Sequence, residues 1–423
     1  MSIPILSLLI LLFVILISTS QRVNIGILSL ILAWTLGYWI AGMKAFEVIA
    51  GFPGSMFMVL VAISYFFGIA SHNGTLDKIT SIMIRIVKGQ RAALPVIFFI
   101  IAMVLSTVGA GNIGAVALLA PVAMRIADKT ALGAFFMTIL LIYGANAGTF
   151  SPFAFTGIIA NGLVTKIGLP MNPWTEIYLP NFLVQTFLAL INYLIFYFLL
   201  KKRGGPTQKF SLESISPGSQ PFNTQQVLTL SAILVLIIGV VFFKINVGLL
   251  AMILGILLTL IRVAHGLEEF KLIPWKVVIM VCGMSTLISI IEKVGGMNIL
   301  ITGLAQISNS QNVTGILAFV VGIISSFSSS SAVVMPTFIP LVPGLIEKMG
   351  GGDPVALVSS INIGAHLVDV SPLSTLGALC LANAAFSENK IRLFRKLLIY
   401  GLSMSVVGAA VSYLFFGKLL PIL

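Results

Sequence analysis

The sequence predicts an all-α polytopic membrane protein made of two inverted repeats, with about ten transmembrane helices and two re-entrant hairpins. Three observations carry that expectation. Of 423 residues, 58% are hydrophobic and only 9% charged, against roughly 25% charged in a soluble domain. Two long apolar stretches are interrupted at mid-length by short polar runs, Gly109 to Gly114 (GAGNIG) and Ser325 to Ala332 (SSFSSSSA). The two halves also match each other: YGANAGTFSP at 143–152 aligns with IGAHLVDVSP at 363–372 at an offset of 220, pairing Gly144 with Gly364, Ser151 with Ser371 and Gly157 with Gly377.

A crossing needs about 20 apolar residues, and runs bounded by charge, Gly or Pro give spans near 3–20, 23–43, 53–71, 132–147, 151–168 and 177–200. The second set falls near 226–243, 246–264, 273–292, 354–366, 370–386 and 396–418. The interrupted stretches read as hairpins over about 93–125 and about 312–346, each polar run forming the tip. The first span lacks a basic flank and a small-x-small cleavage pattern, so it reads as a retained helix. Residues 201–225, rich in Gly, Ser, Pro and Gln, form a linker. The organisation is therefore a first repeat over 1–200, a cytoplasmic linker and a second, inverted repeat over 226–423.

Charge supports the inversion. Five crossings plus a self-returning hairpin in each half reverse the sense of the second, and with that topology 18 of the 24 cations fall on one face. The cation-rich face is cytoplasmic by the positive-inside rule, which places both termini outside. The net charge of +12 follows from those loops and implies no nucleic-acid partner.

Inverted repeats with interrupted helices are what a secondary transporter uses to show one midplane site to either side in turn. A broken helix frees N–H groups at one end and C=O groups at the other, able to hold an anion and a cation without charged side chains. Pro152 and Pro372 each remove a donor and disfavour helix at the preceding serine; alone each would be a kink, but their paired placement points to a site. Ser328 to Ser331 could serve close helix packing, and Asn112, between glycines, could be a turn residue. Asp369 is the one carboxylate placed deep in a span, at a cost of roughly 2.5 to 3.5 kcal/mol if unpaired; it reads as a cation site, a proton carrier or half of a pair. His366 reads as a satisfied interfacial histidine.

Other motifs carry nothing. GAGNIG fits G-x-G-x-x-G but lacks a strand-helix context, and no H-E-x-x-H, Walker loop or G-x-S-x-G occurs. With three histidines and two cysteines in apolar runs, no nucleophile-base set is visible, so no enzyme is expected and no cofactor.

In GFPGSMFMVLVAISYFFGIASHNGTLDK (51–78), GAVALLAPVA (114–123), FSPFAFTG (150–157), FKINVGL (243–249) and VDVSPLSTLGALCLANA (368–384), the chain resembles the bacterial malonate/dicarboxylate carrier family. That family lies within the ion-transporter superfamily, related to the divalent anion/sodium symporters. The resemblance implies a homodimeric elevator, in which hairpins and broken helices slide against a fixed scaffold. By likeness to the superfamily's Ser-Asn-Thr tips, Gly111, Asn112 and Ile113 and then Ser329, Ser330 and Ser331 would face substrate and help ligate sodium. Thr107 and Ser326, the carbonyls of Phe150 and Val370, and Asp369 would complete the cation sites. Ser151, Pro152, Ser371 and Pro372 would flank the substrate.

The expected function is import of a small dicarboxylate, malonate- or succinate-like, by sodium or proton symport. Moving a dianion inward against 100 mV costs about 4.6 kcal/mol, twice the single-charge value, and cation symport offsets it. The alternatives are a sodium/proton antiporter, with Asp369 carrying the proton, and an anion channel.

Overall fold

Every described apolar stretch becomes helix, because in hydrocarbon the backbone must satisfy its own donors and acceptors. The structure is a computed structural model describing residues 2–18, 23–76, 78, 91–129, 133–202, 221–243, 245–264, 267–326, 329–384 and 389–419; among these no strand occurs. The protein is an all-α polytopic membrane protein. Most of the 201–225 linker lies outside the described residues, as does Ser328.

The first half runs α1 (Ile3–Ser18), α2 (Ile25–Trp34, continued by a π turn to Ile40) and α3 (Gly54–His72). Then come α4 (Leu94–Leu105), α5 (Gly111–Lys129), α6 (Ala134–Gly148), α7 (Phe155–Lys166) and α8 (Leu179–Lys202). The second half contains α9 (Thr224–Val241), α10 (Val247–Leu260), α11 (Trp275–Lys293), α12 (Gly296–Ile307) and α13 (Val313–Ser325). It ends with α14 (Ser330–Met349), α15 (Pro354–Leu367), α16 (Thr375–Ala382) and α17 (Lys390–Leu414). Asparagines start several of these helices: the side chains of Asn24, Asn223, Asn246 and Asn389 accept from first-turn N–H groups of α2, α9, α10 and α17, satisfying donors that a helix leaves open.

Leu94–Asp128 is long enough by itself to cross a membrane, yet it folds back. An added Cβ at Gly144 of α6 would lie 2.2 Å from the Phe99 carbonyl, and one at Gly148 2.3 Å from that of Met103. So α4 runs parallel to α6. Asn112 bonds Asn146, and Thr138 lies 3.8 Å from the sulfur of Met124, so α5 runs antiparallel to the same helix. The reversal sits at Gly109 (φ 133) and Gly111 (φ 67), conformations that glycine tolerates. The second hairpin repeats this on α15: Gly364 meets the Ala318 carbonyl of α13, and the return arm α14 leads from Ser330, beside Asp369, toward the start of α15.

The remaining helices exchange partners between halves. α2 packs on α11 and α3 on α10; the post-break helix α7 touches α14, and its counterpart α16 packs on α5. At the tightest crossing an added Cβ would stand 2.1 Å from the Ile279 carbonyl at Gly26 and 2.1 Å from the Gly26 carbonyl at Gly283. Backbone there touches backbone, so no side chain can yield. Gly283→Ala is accordingly expected to cost at least about 1–3 kcal/mol, the range for overpacking a filled core; a thermal midpoint equal to the parent's would refute the contact.

Two features depart from the sequence reading. Helix α12 was unforeseen: α11 bends into it by 84° at Gly295, whose φ is 83, and it packs on both α1 and the return arm α14. The burial of Glu269 was unforeseen as well. Glu269, on a short helix Leu267–Lys271 between the spans read at 246–264 and 273–292, is 1% exposed. Its Oε1 lies 2.7 Å from Nδ1 of His72, which ties the end of α3 to that turn.

Candidate functional site

The two helix breaks have one geometry. After α6 the chain turns through 149–154 before α7, and after α15 a 3-10 turn, Val368–Val370, leads through Ser371 to Ser374 into α16. Ser151 N donates to Gly148 O and Ser371 N to Val368 O, at 3.2 and 2.8 Å. Two residues on, Phe153 N donates to the Ser151 hydroxyl at 3.2 Å and Leu373 N to the Ser371 hydroxyl at 3.3 Å. These are serine turns set up by prolines that cannot donate. Gly157 and Gly377 close them: an added Cβ would lie 2.0 and 2.1 Å from the serine carbonyls.

Both serines therefore brace the turns. Ser151 also donates to the Thr107 carbonyl at 2.5 Å, clamping the first break to the first tip, and Ser371 packs against Gly401 of α17. Pro152 is half-buried and Pro372 buried. Ser374 bonds the Asp369 carbonyl.

At the second break four oxygens crowd together. Ser330 Oγ lies 2.8 Å from Asp369 Oδ1, 3.0 Å from the Ala365 carbonyl and 2.8 Å from Ser325 Oγ, which itself lies 2.8 Å from the Ala365 carbonyl. The two hydroxyls bring two protons, so at most two of these four contacts can hold a linear hydrogen bond. Oxygen lone pairs face each other in the rest. Asp369 is 6% exposed, and the side chains that bond it among the described residues, Ser330 and Asn146, are neutral. Such a cluster suits a hard cation or an added proton.

Asn146 joins this cluster to the first hairpin. Its Nδ2 donates to Asp369 Oδ2 at 3.1 Å and to the His366 carbonyl at 2.9 Å, while its Oδ1 accepts from Asn112 Nδ2 at 2.9 Å. Its backbone carbonyl accepts from Asn181 Nδ2 of α8 at 2.8 Å. The equivalent residue in the second half is His366, which is 1% exposed. Its Nδ1 sits 2.8 Å from Asn362 O and its ring meets Phe150 edge-on at 4.8 Å. His366 thus reaches the carboxylate's surroundings through its carbonyl, with its imidazole turned elsewhere.

The remaining expected residues divide. Gly111 forms the left-handed turn of the first tip, Asn112 is nearly buried, and Ile113 is 37% exposed. Thr107 Oγ1 lies 3.2 Å from the Tyr178 hydroxyl. Ser329 caps α14 by accepting from Ala332 N, and Ser331 is half-buried. Phe150 and Val370 are buried. Ser326 turns back on its own helix and donates to Gly322 O at 2.9 Å; its neighbour Ser325 is the one in the oxygen cluster.

In the first half, Ser106 and Thr149 stand at the positions of Ser325 and Asp369, by offsets of 219 and 220. Both are fully buried, and neither hydroxyl has a hydrogen-bond partner among the described residues. Buried hydroxyls without partners cost roughly 1–3 kcal/mol each. Sequence reading passed over Ser106, Ser325, Asn146 and Thr149, although the internal offset aligns them. Among the described residues no three His, Cys, Asp or Glu gather, so the donor set is one of hydroxyls, carbonyls and a single carboxylate.

Comparison with known proteins finds transporter families at both ends of the chain. A model described as the dicarboxylate carrier protein MatC N-terminus matches residues 1–149, and one described as citrate transporter matches residues 237–423. No curated protein matches the chain. The crystal structure of the YdaH transporter of Alcanivorax borkumensis, described as having an unusual topology, is similar over 88% of this chain and 87% of its own. The TM-score is 0.58 at 15% identity, a likeness of fold. The chain is thus similar at one end to a dicarboxylate carrier and at the other to a citrate transporter, and both of these families are transporters.

Proposed function

We propose that this secondary transporter of carboxylates imports a small dicarboxylate, malonate- or succinate-like, by symport with sodium or protons. The observation that carries the reading is the proton-deficient oxygen cluster of Ser325, Ser330, Ala365 and Asp369, which one bound cation or proton would relieve. Ser106 and Thr149 mark the corresponding place in the first half. The carboxylate would lie between the two hairpin tips and the serine turns, with Asn112, Ile113, Ser329 and Ser331 nearest to it.

Inverted repeats are part of the proposal, and helix direction supports them. α2 runs parallel to α11, since Gly26 meets Met280, Ser29 bonds Met284 and Gly37 meets Ile290. α3 runs parallel to α10, since Val59 meets Gly248 and Tyr65 bonds Thr259. If successive spans alternate, each helix opposes its own counterpart. The moving part would then be the hairpins, breaks, α8 and α17, sliding as an elevator against α1 to α3 and α9 to α11. A homodimer in the inner membrane with extracytoplasmic termini completes the reading, the last on the cation asymmetry.

Uptake of labelled malonate or succinate into proteoliposomes should require an inward sodium or proton gradient, and indifference to both overturns the symport. A sodium/proton antiporter is the second reading, because Asp369 alone in the cluster can carry a proton. Dye-reported proton efflux on adding sodium, without organic acid, would select it.

A further inference from the structure

Away from the hairpin tips, a cavity of about 450 Å³ opens between α6 and α17, lined by Phe135, Phe136, Lys396, Ile399, Tyr400 and Ser403. It is open along one side and its walls are mostly apolar. On α17 the lining residues fall at i, i+3, i+4 and i+7, one continuous face. The groove therefore runs along the helix, from a charged end at Lys396 to a hydroxyl at Ser403.

The floor is fixed. The Tyr400 hydroxyl lies 2.8 Å from that of Tyr143 and donates to Asn192 Oδ1 at 3.0 Å, and the Tyr143 hydroxyl lies 3.1 Å from Met404 sulfur. Phe135 meets Tyr400 edge-on at 5.7 Å. The outer wall is open, with Ile399 70% exposed. At the mouth the Lys396 ammonium stands 5.9 Å from the centre of the Phe135 ring, which keeps its charge over the groove. Arg392 and Arg395, exposed on the same first two turns of α17, add to the positive field.

We propose that this groove binds an acidic glycerophospholipid, its phosphate on Lys396 with Arg392 or Arg395 and one acyl chain along Phe135, Phe136, Ile399 and Ser403. The charge chooses the headgroup: an apolar slot alone would take any lipid, but cations where a bilayer-embedded helix leaves the hydrocarbon favour anionic ones. One lysine near a membrane surface is worth about fivefold in affinity.

The test uses the full-length protein in mild detergent, titrated with phosphatidylglycerol or phosphatidylcholine and read by native mass spectrometry. The parent should retain phosphatidylglycerol preferentially. Lys396→Ala should lower that retention about fivefold and leave phosphatidylcholine unchanged, while Ser403→Trp, which fills the slot, should reduce retention of both. Lys348→Ala, a remote cation bonded to Thr302, should change nothing, and each variant's thermal midpoint identifies misfolding. Equal retention of phosphatidylglycerol by parent and Lys396→Ala overturns the proposal. So does a dimer that Ser403→Trp converts to monomer with lipid retention intact, since a second copy would then cover the groove.

Discussion

Asp369→Asn is expected to weaken the cation dependence of carboxylate binding while leaving the protein folded. The parent cluster has four close oxygen–oxygen contacts and two hydroxyl protons, so it is relieved by an added cation or proton. An asparagine amide brings donor hydrogens of its own and removes the negative charge. The apo variant should therefore melt no lower than the parent, unlike most changes at buried polar sites. Charged hydrogen-bond and ion contacts are worth about 1.5–3 kcal/mol each, so apparent cation affinity should fall by roughly 10- to 150-fold. Titrating sodium at fixed pH, then protons at fixed sodium, and following the thermal midpoint with malonate present measures this. An unchanged midpoint shift for both ions would take the coupling site away from Asp369.

The serines around it separate the two candidate roles. Ser330 touches Asp369, and Ser325 touches Ser330, so substitution of either by alanine bears on the same ion step. Ser326 bonds its own helix and lies outside that network. Reading the second tip as one serine run cannot distinguish them, because neighbouring residues on a helix point about 100° apart.

Much of the fold was legible because its signals are large. Apolar length gave the spans, Pro152 and Pro372 gave the breaks, and GAGNIG and SSFSSSSA gave the tips. Helix α12 was not legible: GMNILITGLAQI is too short and mixed for a span, and its direction is set by the left-handed turn at Gly295. Nor was the burial of Glu269, which depends on His72 arriving from almost two hundred residues away. In the site, the internal repeat marked the breaks but not which side chains meet. Asn146 and His366 align at one position of the repeat, yet one bridges both halves and the other turns to Phe150. An offset gives equivalence of backbone; the contact follows only when the helices cross.

Asn146→Leu should be the most damaging single change at the site. Leucine keeps the branched shape, with somewhat larger ends, but deserts three groups at once: Asn112 Nδ2, Asp369 Oδ2 and the His366 carbonyl. Each buried polar group left without a partner costs about 1–3 kcal/mol, so loss of both stability and carboxylate binding is expected. Asn112→Ala removes only the first contact and should cost less. The informative variant is the double one: if Asn112 acts through Asn146, Asn112→Ala adds little to Asn146→Leu, giving a coupling energy in the range of about 0.5–3 kcal/mol found for contacting residues. Additive losses in binding would mean that the first tip and the Asp369 cluster act independently. Coupled losses would mean that an amide held between a tip and a carboxylate transmits occupancy of the ion site to the hairpin, which is what symport requires of a site whose substrate and cation must move together.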